Sequence, residues 1–453
     1  MIFKESLYGR IPDEWDILPL KDLCDNPGGV QTGPFGSQLH QRDYVKKGTP
    51  IITVEHLGNN RITHVNLPRV SVEDQKRLAR YTLKQGDIVF SRVGSVDRRS
   101  LVRDEEDGWL FSGRCLRVRP NTEKIDPRYL SWFFGLSNFQ EYIRRIAVGA
   151  TMPSLNTDLL ENVEVIVPPL PEQRAIASIL GALDDKIELN RQMNRTLEAV
   201  AQALFKSWFV DFDPVWAKKE GRQPFGMDAD TAALFPDEFE ESELGLIPAG
   251  WNVGCIGDIV ASIRNSTDPS ILDSGVPYIG LEHMPQQSIA LDRWSKAATV
   301  KSLKLQFNRN DILFGKLRPY FHKVGIAPID GVCSSDILVL RPKQPSYLGF
   351  ALGFLSSTEL IDYAAAISTG TRMPRVSWQD ISAYPIVIPP LSTIQRFMLI
   401  AAPMLERLSH NIMESRILTE IRDTLLPKLL SGELRVPTAT ESVLSQEVTL
   451  HDA

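Results

Sequence analysis

The sequence is poor in the residues that build most catalytic and metal centres. Its four cysteines (Cys24, Cys115, Cys255 and Cys333) lie far apart and form no CxxC pair. That argues against a disulfide framework or a zinc site and fits a reducing cytoplasm. The seven histidines (His40, His56, His64, His283, His322, His410 and His451) do not cluster along the chain. There is no phosphate loop: Gly315-Lys316 lacks the earlier glycine and is followed by Leu317. No glycine-rich S-adenosylmethionine loop follows a strand. The diprolines Pro168-Pro169 and Pro389-Pro390 lack the acid and the aromatic of an adenine-methyltransferase motif. No run is long and apolar enough to span a membrane, and the start, MIFKESLYGRIP, has no apolar core for a signal peptide. A non-catalytic, metal-free cytoplasmic protein is expected.

A strong basic excess is missing as well: the 453 residues carry a net charge of −6. Its distribution matters more than its sum. Residues 211–243 hold 10 acidic and 3 basic side chains, net −7, and Glu441, Glu447 and Asp452 give the last stretch −3. The rest of the chain is therefore net +4, which permits local basic patches without demanding them.

What the chain does have is a long heptad pattern. In residues 168–208 a seam runs through Ile176, Leu180, Leu183, Ile187, Asn190, Asn194, Leu197, Ala201, Leu204 and Trp208. Its 33 residues would make a rod about 50 Å long. A second copy lies 221 residues on, where Met404, Leu408, Asn411, Ser415, Leu418, Leu425 and Leu429 answer the first from Leu183 onward. It too follows a proline-terminated strand, and Gln395-Arg396 echoes Gln173-Arg174. The polar seam positions Asn190, Asn194, Asn411 and Ser415 would fix register if the helices pair. Parallel and antiparallel pairing would both bring them together; separation of the globules favours antiparallel. The plainer alternative is a core helix in each of two ordinary domains. Asp184-Asp185-Lys186, inside the first helix, reads as a solvated face.

The duplication extends over the whole chain. Ile11-Pro12-Asp13-Glu14-Trp15 answers Ile247-Pro248-Ala249-Gly250-Trp251, and Glu55-His56 answers Glu282-His283. Gly86-Asp87-Ile88-Val89-Phe90 answers Asn310-Asp311-Ile312-Leu313-Phe314, and Arg119-Pro120 answers Arg341-Pro342. Gly149-Ala150-Thr151-Met152-Pro153 answers Gly370-Thr371-Arg372-Met373-Pro374. Each half reads as a strand-rich α+β globule with short β-branched strands (51–54, 87–90, 115–118 and 163–167 in the first), then a helical stretch at 127–147, then the long helix. The boundaries expected are a first globule at 1–168, a helix at 169–210, an acidic linker at 211–246, a second globule at 247–390, a second helix at 391–436 and a mobile tail at 437–453. The Glu-His pairs lack a third ligand and read as structural strand ends.

Several loops carry side chains suited to nucleic acid. Gln31, Thr32, Phe35, Ser37, Gln38 and His40 lie in a glycine-broken loop; Gln can pair with adenine edges and hydroxyls with several bases. Arg92, Ser95, Arg98 and Arg99 follow a strand. Lys316, Arg318, Tyr320, His322 and Lys323 occupy the matching place in the second half, alternating basic and aromatic residues. Thr151, Thr371 and Arg372 sit in the matched Gly-x-x-Met-Pro loops. A duplicated frame with divergent loops suits two readers of two sequences.

These features together resemble the specificity (S) subunit of type I restriction–modification systems, across essentially the full length. The residues that carry the resemblance are the I-P-x-x-W starts, Gly33-Pro34-Phe35-Gly36-Ser37, Gly86–Val89 in the form Gly-Asp-Ile-Val, the P-P-L-P-E-Q-R run from Pro168 to Arg174, and Ser431-Gly432-Glu433-Leu434. The second half departs at Asn310 and at Leu391-Ser392-Thr393-Ile394-Gln395-Arg396, where the glutamate is lost and a residue gained. The resemblance implies two target recognition domains separated by an antiparallel two-helix coiled coil, each domain reading half of a split site in double-stranded DNA. It also implies two methyltransferase (M) subunits that use S-adenosylmethionine to methylate adenine, and two restriction (R) subunits that use ATP and magnesium; the S chain itself binds no cofactor. The competing expectation is a coiled-coil scaffold whose two domains bind proteins, not DNA.

Overall fold

The computed structural model describes residues 2–25, 28–34, 36–299 and 301–436; the expected mobile tail and Phe35 lie outside the described residues. The chain divides into two compact units. One is Met1–Asp185 together with the stretch from Thr419 onward, and the other is Lys186–Leu418. The division cuts both long helices, so each unit contains part of each.

In the first unit, strands Val30–Thr32, Cys115–Val118, Ile88–Ser91 and Arg99–Leu101 form an antiparallel sheet in that order. Side chains alternate across it. Ile88, Phe90, Leu116 and Val118 face one core with Tyr129 and Phe133, while Val89 and Cys115 face a second core with Ile51, Leu110 and Phe111. Burial on both faces explains why the strand motif is an unbroken apolar run. The second unit repeats the plan with Val260–Ile263, Ile337–Pro342, Ile312–Gly315 and Val324–Ile326. There Ile312 and Phe314 face one core, and Leu313 and Val339 the other. A further sheet lies beyond each second core, and its one parallel pairing is also repeated: Ile52 opposite Phe111, and Ile279 opposite Cys333.

Three observed strands fall close to the expected ones, at Ile88–Ser91, Cys115–Val118 and Glu164–Val167; the fourth, expected at 51–54, runs earlier, over Tyr44–Ile52, and Val54 opens a helical turn. The helical stretch is broken into Pro127–Phe133 and Ser137–Ile146. Asp126 caps the first by accepting from the backbone N–H of Arg128 and Tyr129. At the break, a Cβ on Gly135 would stand 2.1 Å from Nη2 of Arg99, so only glycine leaves room for that guanidinium. The Glu-His pairs do serve as strand-end caps. His56 Nδ1 accepts from the Thr53 N–H at 3.0 Å and His283 Nδ1 from the Gly280 N–H at 2.9 Å. Burial lowers the pKa of both imidazoles, which favours the neutral form able to accept.

Residues 211–246 are folded as well as acidic. They form helices Asp213–Lys219 and Ala229–Ala233 and strand Phe239–Ser242. Val215 and Phe235 are fully buried in the second unit's core, where the Phe235 ring lies 6.1 Å from that of Trp251. The scattered aromatics of this stretch, masked by its charge, anchor it.

The long helices are Leu170–Phe209 and Leu391–Leu430, 40 residues each and offset by 221 at both ends. The second therefore gains no residue at its start. Ile394, not Gln395, takes the buried place of Gln173, and Gln395 is exposed. Within the second unit the helices run antiparallel: Asn411 Nδ2 donates to Asn194 Oδ1 at 2.9 Å, and Asn190 Nδ2 to Glu414 Oε2 at 2.8 Å and to Ser415 Oγ at 3.3 Å. Within the first unit Arg422 Nη1 meets Asp184 Oδ1 at 3.1 Å, both side chains under a tenth exposed. The solvated-face reading thus fails for Asp184, which also binds Arg61 at 2.8 Å and Arg103 at 3.6 Å. It holds in part for Asp185, which is 62% exposed although paired with Arg61.

The two I-P-x-x-W tryptophans are buried and differently served. Trp15 Nε1 donates to Glu172 at 3.2 Å, and Arg435 grips the same carboxylate through Nε at 2.6 Å and Nη2 at 3.0 Å. Gly432, at φ +69°, lets the backbone pass over Pro12 and Trp15. The glutamate is replaced by Thr393 in the second helix, and Trp251 Nε1 has no hydrogen-bond partner among the described residues.

Candidate nucleic-acid interface

The candidate loops grow from the central strand of each main sheet. In the first unit Ile88–Ser91 leads into 92–98, and this loop is stitched to two others by backbone hydrogen bonds. Arg92 N donates to Arg114 O (2.8 Å), Leu155 N to Arg92 O (2.9 Å), Gly94 N to Pro153 O (2.8 Å) and Ser91 N to Arg98 O (2.9 Å). The 149–153 loop is closed by reciprocal bonds between Val148 and Ser154. Every one of these bonds recurs in the second unit. Lys316 N donates to Asp336 O (3.0 Å), Val376 N to Lys316 O (3.1 Å), Arg318 N to Pro374 O (2.7 Å) and Gly315 N to Lys323 O (2.8 Å), with reciprocal bonds between Thr369 and Arg375. The backbone frame is the same; the side chains on it are not.

That frame sets out the equivalences. Arg92 stands where Lys316 does, Gly94 where Arg318 does, and Thr151 where Arg372 does. Gly94 has φ +80° and Arg318 has φ +51°, so the second repeat places a long cation on a backbone conformation that favours glycine. The Arg318 side chain is held by the Arg372 carbonyl at 3.2 Å. Thr151, Thr371, Arg372, Ser95 and Arg98 are exposed, as is Tyr320 at 54%; Arg92 and Lys316 are half-buried. Arg92 Nη1 reaches the Gly113 carbonyl (3.2 Å), and Arg98 is tied to the Leu57 carbonyl. His322 Nε2 lies 2.9 Å from the Ser356 carbonyl and Lys323 Nζ 2.6 Å from that of Leu281. Both are half-buried and engaged by main chain, as is Arg318, so the exposed charge here belongs to Arg372.

Arg99 must be removed from the set. It is 3% exposed, bound through Nε to the Ser131 carbonyl at 3.1 Å and through Nη1 to Asn59 at 3.2 Å. Every residue of strand Arg99–Leu101 is buried, and Arg99 supports the helix break at Gly135. Burial depresses its pKa to about 10, still charged at neutral pH.

Gln31 and Thr32 lie on the edge strand Val30–Thr32, half-buried, with Thr32 opposite Leu116. Gly33 N donates to the Cys115 carbonyl, and a Cβ there would stand 2.2 Å from Ser112 O. The turn 112–114 therefore touches both this loop and Arg92. Ser37 and Gln38 fall in a short helical turn, and the Gln38 side chain accepts from the Tyr81 hydroxyl at 2.6 Å. His40 is exposed. Two cations escaped sequence reasoning: Arg114, exposed at the turn that holds Arg92, and Arg375, which pairs with Asp336 at 3.1 Å. A signal for Arg375 was present, since it directly follows a matched Gly-x-x-Met-Pro loop; Arg114 borders only the expected strand at 115–118. One group with metal-ligand spacing occurs among the described residues, His64, Glu105 and Glu106; Glu106 already serves His64 at 2.7 Å and the Arg103 N–H at 2.7 Å.

Comparison with known proteins agrees with this duplication. The family described as "Type I restriction modification DNA specificity domain" matches residues 12–199 and again 248–422. The chain is 26% identical over 444 residues to the type I restriction enzyme MjaIX specificity subunit of Methanocaldococcus jannaschii, covering 96% of each chain. It is 28% identical to the HindI specificity subunit of Haemophilus influenzae, over 83% of this chain and 92% of that one. Its fold is similar to the crystal structure of the type I restriction–modification S subunit from M. genitalium, with a TM-score of 0.55 at 15% identity over 92% and 96% of the two chains. With two copies of the specificity domain covering most of its length, the chain belongs to the type I restriction–modification specificity subunit family.

Proposed function

We propose that this chain reads a two-part, asymmetric site in double-stranded DNA, one part with each repeat. The carrying observation is the pair of loop frames with identical backbone hydrogen bonds and different side chains at the same positions. A shared frame presents its loops to the duplex in the same way; divergent loops read different bases. The side chains proposed to meet DNA are Arg92, Ser95, Arg98, Thr151 and the 31–40 loop in the first repeat. In the second they are Lys316, Arg318, Tyr320, Thr371 and Arg372.

The antiparallel helices act as the spacer between the two readers and as the docking site for two methyltransferase subunits. One turn of B-DNA is about 34–36 Å, and a 40-residue helix spans about 60 Å, so a stiff spacer of this kind suffices. The chain does no chemistry itself. S-adenosylmethionine belongs to the methyltransferase subunits, and ATP and magnesium to two restriction subunits, in the cytoplasm. Among the described residues no single helix is long and apolar enough to cross a membrane.

Methylome sequencing of a host expressing this chain with its methyltransferase partner tests the reading. A bipartite motif is expected. Inserting one heptad into each long helix should lengthen the unread spacer and leave both half-sites intact. Altered half-sites with an unchanged spacer would count against the spacer role, and an undivided motif against the two readers.

A further inference from the structure

The matched loops share two side chains, a half-buried proline and an exposed methionine, and the methionine, being the same in both, cannot tell one half-site from the other. Of the eight methionines among the described residues, two are exposed: Met152 at 65% and Met373 at 54%. They occupy the same position in the Gly-x-x-Met-Pro loops. Each loop opens at a left-handed glycine, Gly149 at φ +108° and Gly370 at φ +105°. A Cβ on either glycine would stand 2.9 Å or 3.1 Å from the carbonyl oxygen of the loop's own methionine. Each loop is also bonded, through Pro153 or Pro374, to the neighbouring loop of divergent side chains. Two separate repeats therefore hold the same apolar side chain out of the core by the same device.

Exposure of a methionine gives up the stabilisation that burial would supply. If the two frames read different sequences, side chains that identify bases should differ between repeats, as Gly94 and Arg318 or Thr151 and Arg372 do. A side chain kept identical and exposed in both should face something the two half-sites have in common. Two such features run along any duplex, the phosphates and the stacked bases. A thioether has no charge for phosphate, but it is soft and adaptable enough to pack on base planes, and methionine is among the wedges that DNA-bending proteins insert at base steps. The neighbours Thr151 in one loop, and Arg372 and Arg318 in the other, supply the polar and cationic surroundings that suit DNA better than an apolar protein partner.

We infer that Met152 and Met373 are sequence-neutral DNA contacts, each packing its side chain on the bases of its half-site while the divergent neighbours set which bases are read. This rests on the proposed recognition function.

The test uses the full chain assembled with its methyltransferase subunits and fluorescence anisotropy on two duplexes, one carrying the site found by methylome sequencing and one with both half-sites scrambled. Met152→Ala and Met373→Ala should each weaken binding roughly tenfold, by the same factor on both duplexes. The slope of log Kd against log salt should not change, because no phosphate contact is lost. Met→Leu at either position should restore most of the affinity. Unchanged affinity in both alanine variants overturns the inference, and so does a loss confined to the specific duplex. Release of the methyltransferase subunits in sedimentation without DNA would make the loops protein contacts and overturn it equally. If the unsubstituted complex binds neither duplex, the recognition function itself fails, and the inference with it.

Discussion

Asp87 and Arg119 form a two-pronged ion pair, Nε to Oδ1 at 2.8 Å and Nη2 to Oδ2 at 2.6 Å. The second repeat contains its replica in Asp311 and Arg341, at 2.7 Å and 2.8 Å. Each aspartate also accepts a backbone N–H three residues upstream, from Lys84 or Asn308. The carboxylate is buried in both cases, while Arg119 is 21% exposed and Arg341 40%. The pair locks the turn before the strand that leads into the candidate loops.

Asp87→Ala should destabilise the first unit by about 3 kcal/mol, the low end for breaking a buried pair, because Arg119 keeps some water. Hydrogen exchange along Ile88–Ser91 and Cys115–Val118 reads the loss. Asp311→Ala should cost less, since Arg341 is better solvated. Equal, sub-kilocalorie effects at both sites would show that neither pair matters to the fold.

Arg318 holds a backbone conformation that glycine adopts freely. Arg318→Gly should raise stability by about 1 kcal/mol in chemical denaturation. The same change should weaken DNA binding and lower the salt slope by about one unit. A protein that gains stability and loses no affinity would take Arg318 off the duplex.

Asn411 Nδ2 donates to Asn194 Oδ1 across the seam, where the two residues are 1% and 6% exposed, while the buried Asn411 Oδ1 has no partner among the described residues. Asn411→Ala alone should cost about 1–3 kcal/mol, because the Asn194 carbonyl oxygen loses its donor. Replacing both with leucine should be neutral or stabilising while loosening register. Urea denaturation of the two singles and the double, analysed as a cycle, separates the pair from its surroundings. Additive effects would mean that the two amides do not interact.

Burial pushes the Cys24, Cys115 and Cys333 thiols up to about 12, so at pH 8 they are almost wholly protonated and poor nucleophiles. Cys255 is only partly buried, with a smaller upward shift caused by burial and by Asp258. A thiol reagent should therefore modify Cys255 first in the native protein and all four in denaturant. Rapid native labelling at Cys115 would contradict the packing of the main sheet.

The repeat, the helix seam and the loop positions were legible because they are periodic or duplicated, and both are properties of order along the chain. Buried charge was not. Asp184 looks like any acid on a helix surface until Arg61 and Arg103 arrive from over eighty residues away and Arg422 from the other helix. Arg99 follows Arg98 in a basic run, yet Arg98 is exposed just before the strand and Arg99 opens a strand buried at every position. The 211–246 stretch was judged by its charge, although a few aromatics suffice to fold it. The Gln395-Arg396 echo was a coincidence of letters; helix length, which fixes Ile394 in the buried place, overrules it.

Trp15, Glu172 and Arg435 sit together although 420 residues separate the first from the last. The second unit, by contrast, is one uninterrupted stretch. On the ribosome the portion translated first must wait for its closing arginine, while the later portion has everything it requires as soon as residue 418 emerges. Assembly order should thus invert reading order, leaving the early domain unsealed, and open to chaperones or proteases, until synthesis is nearly over.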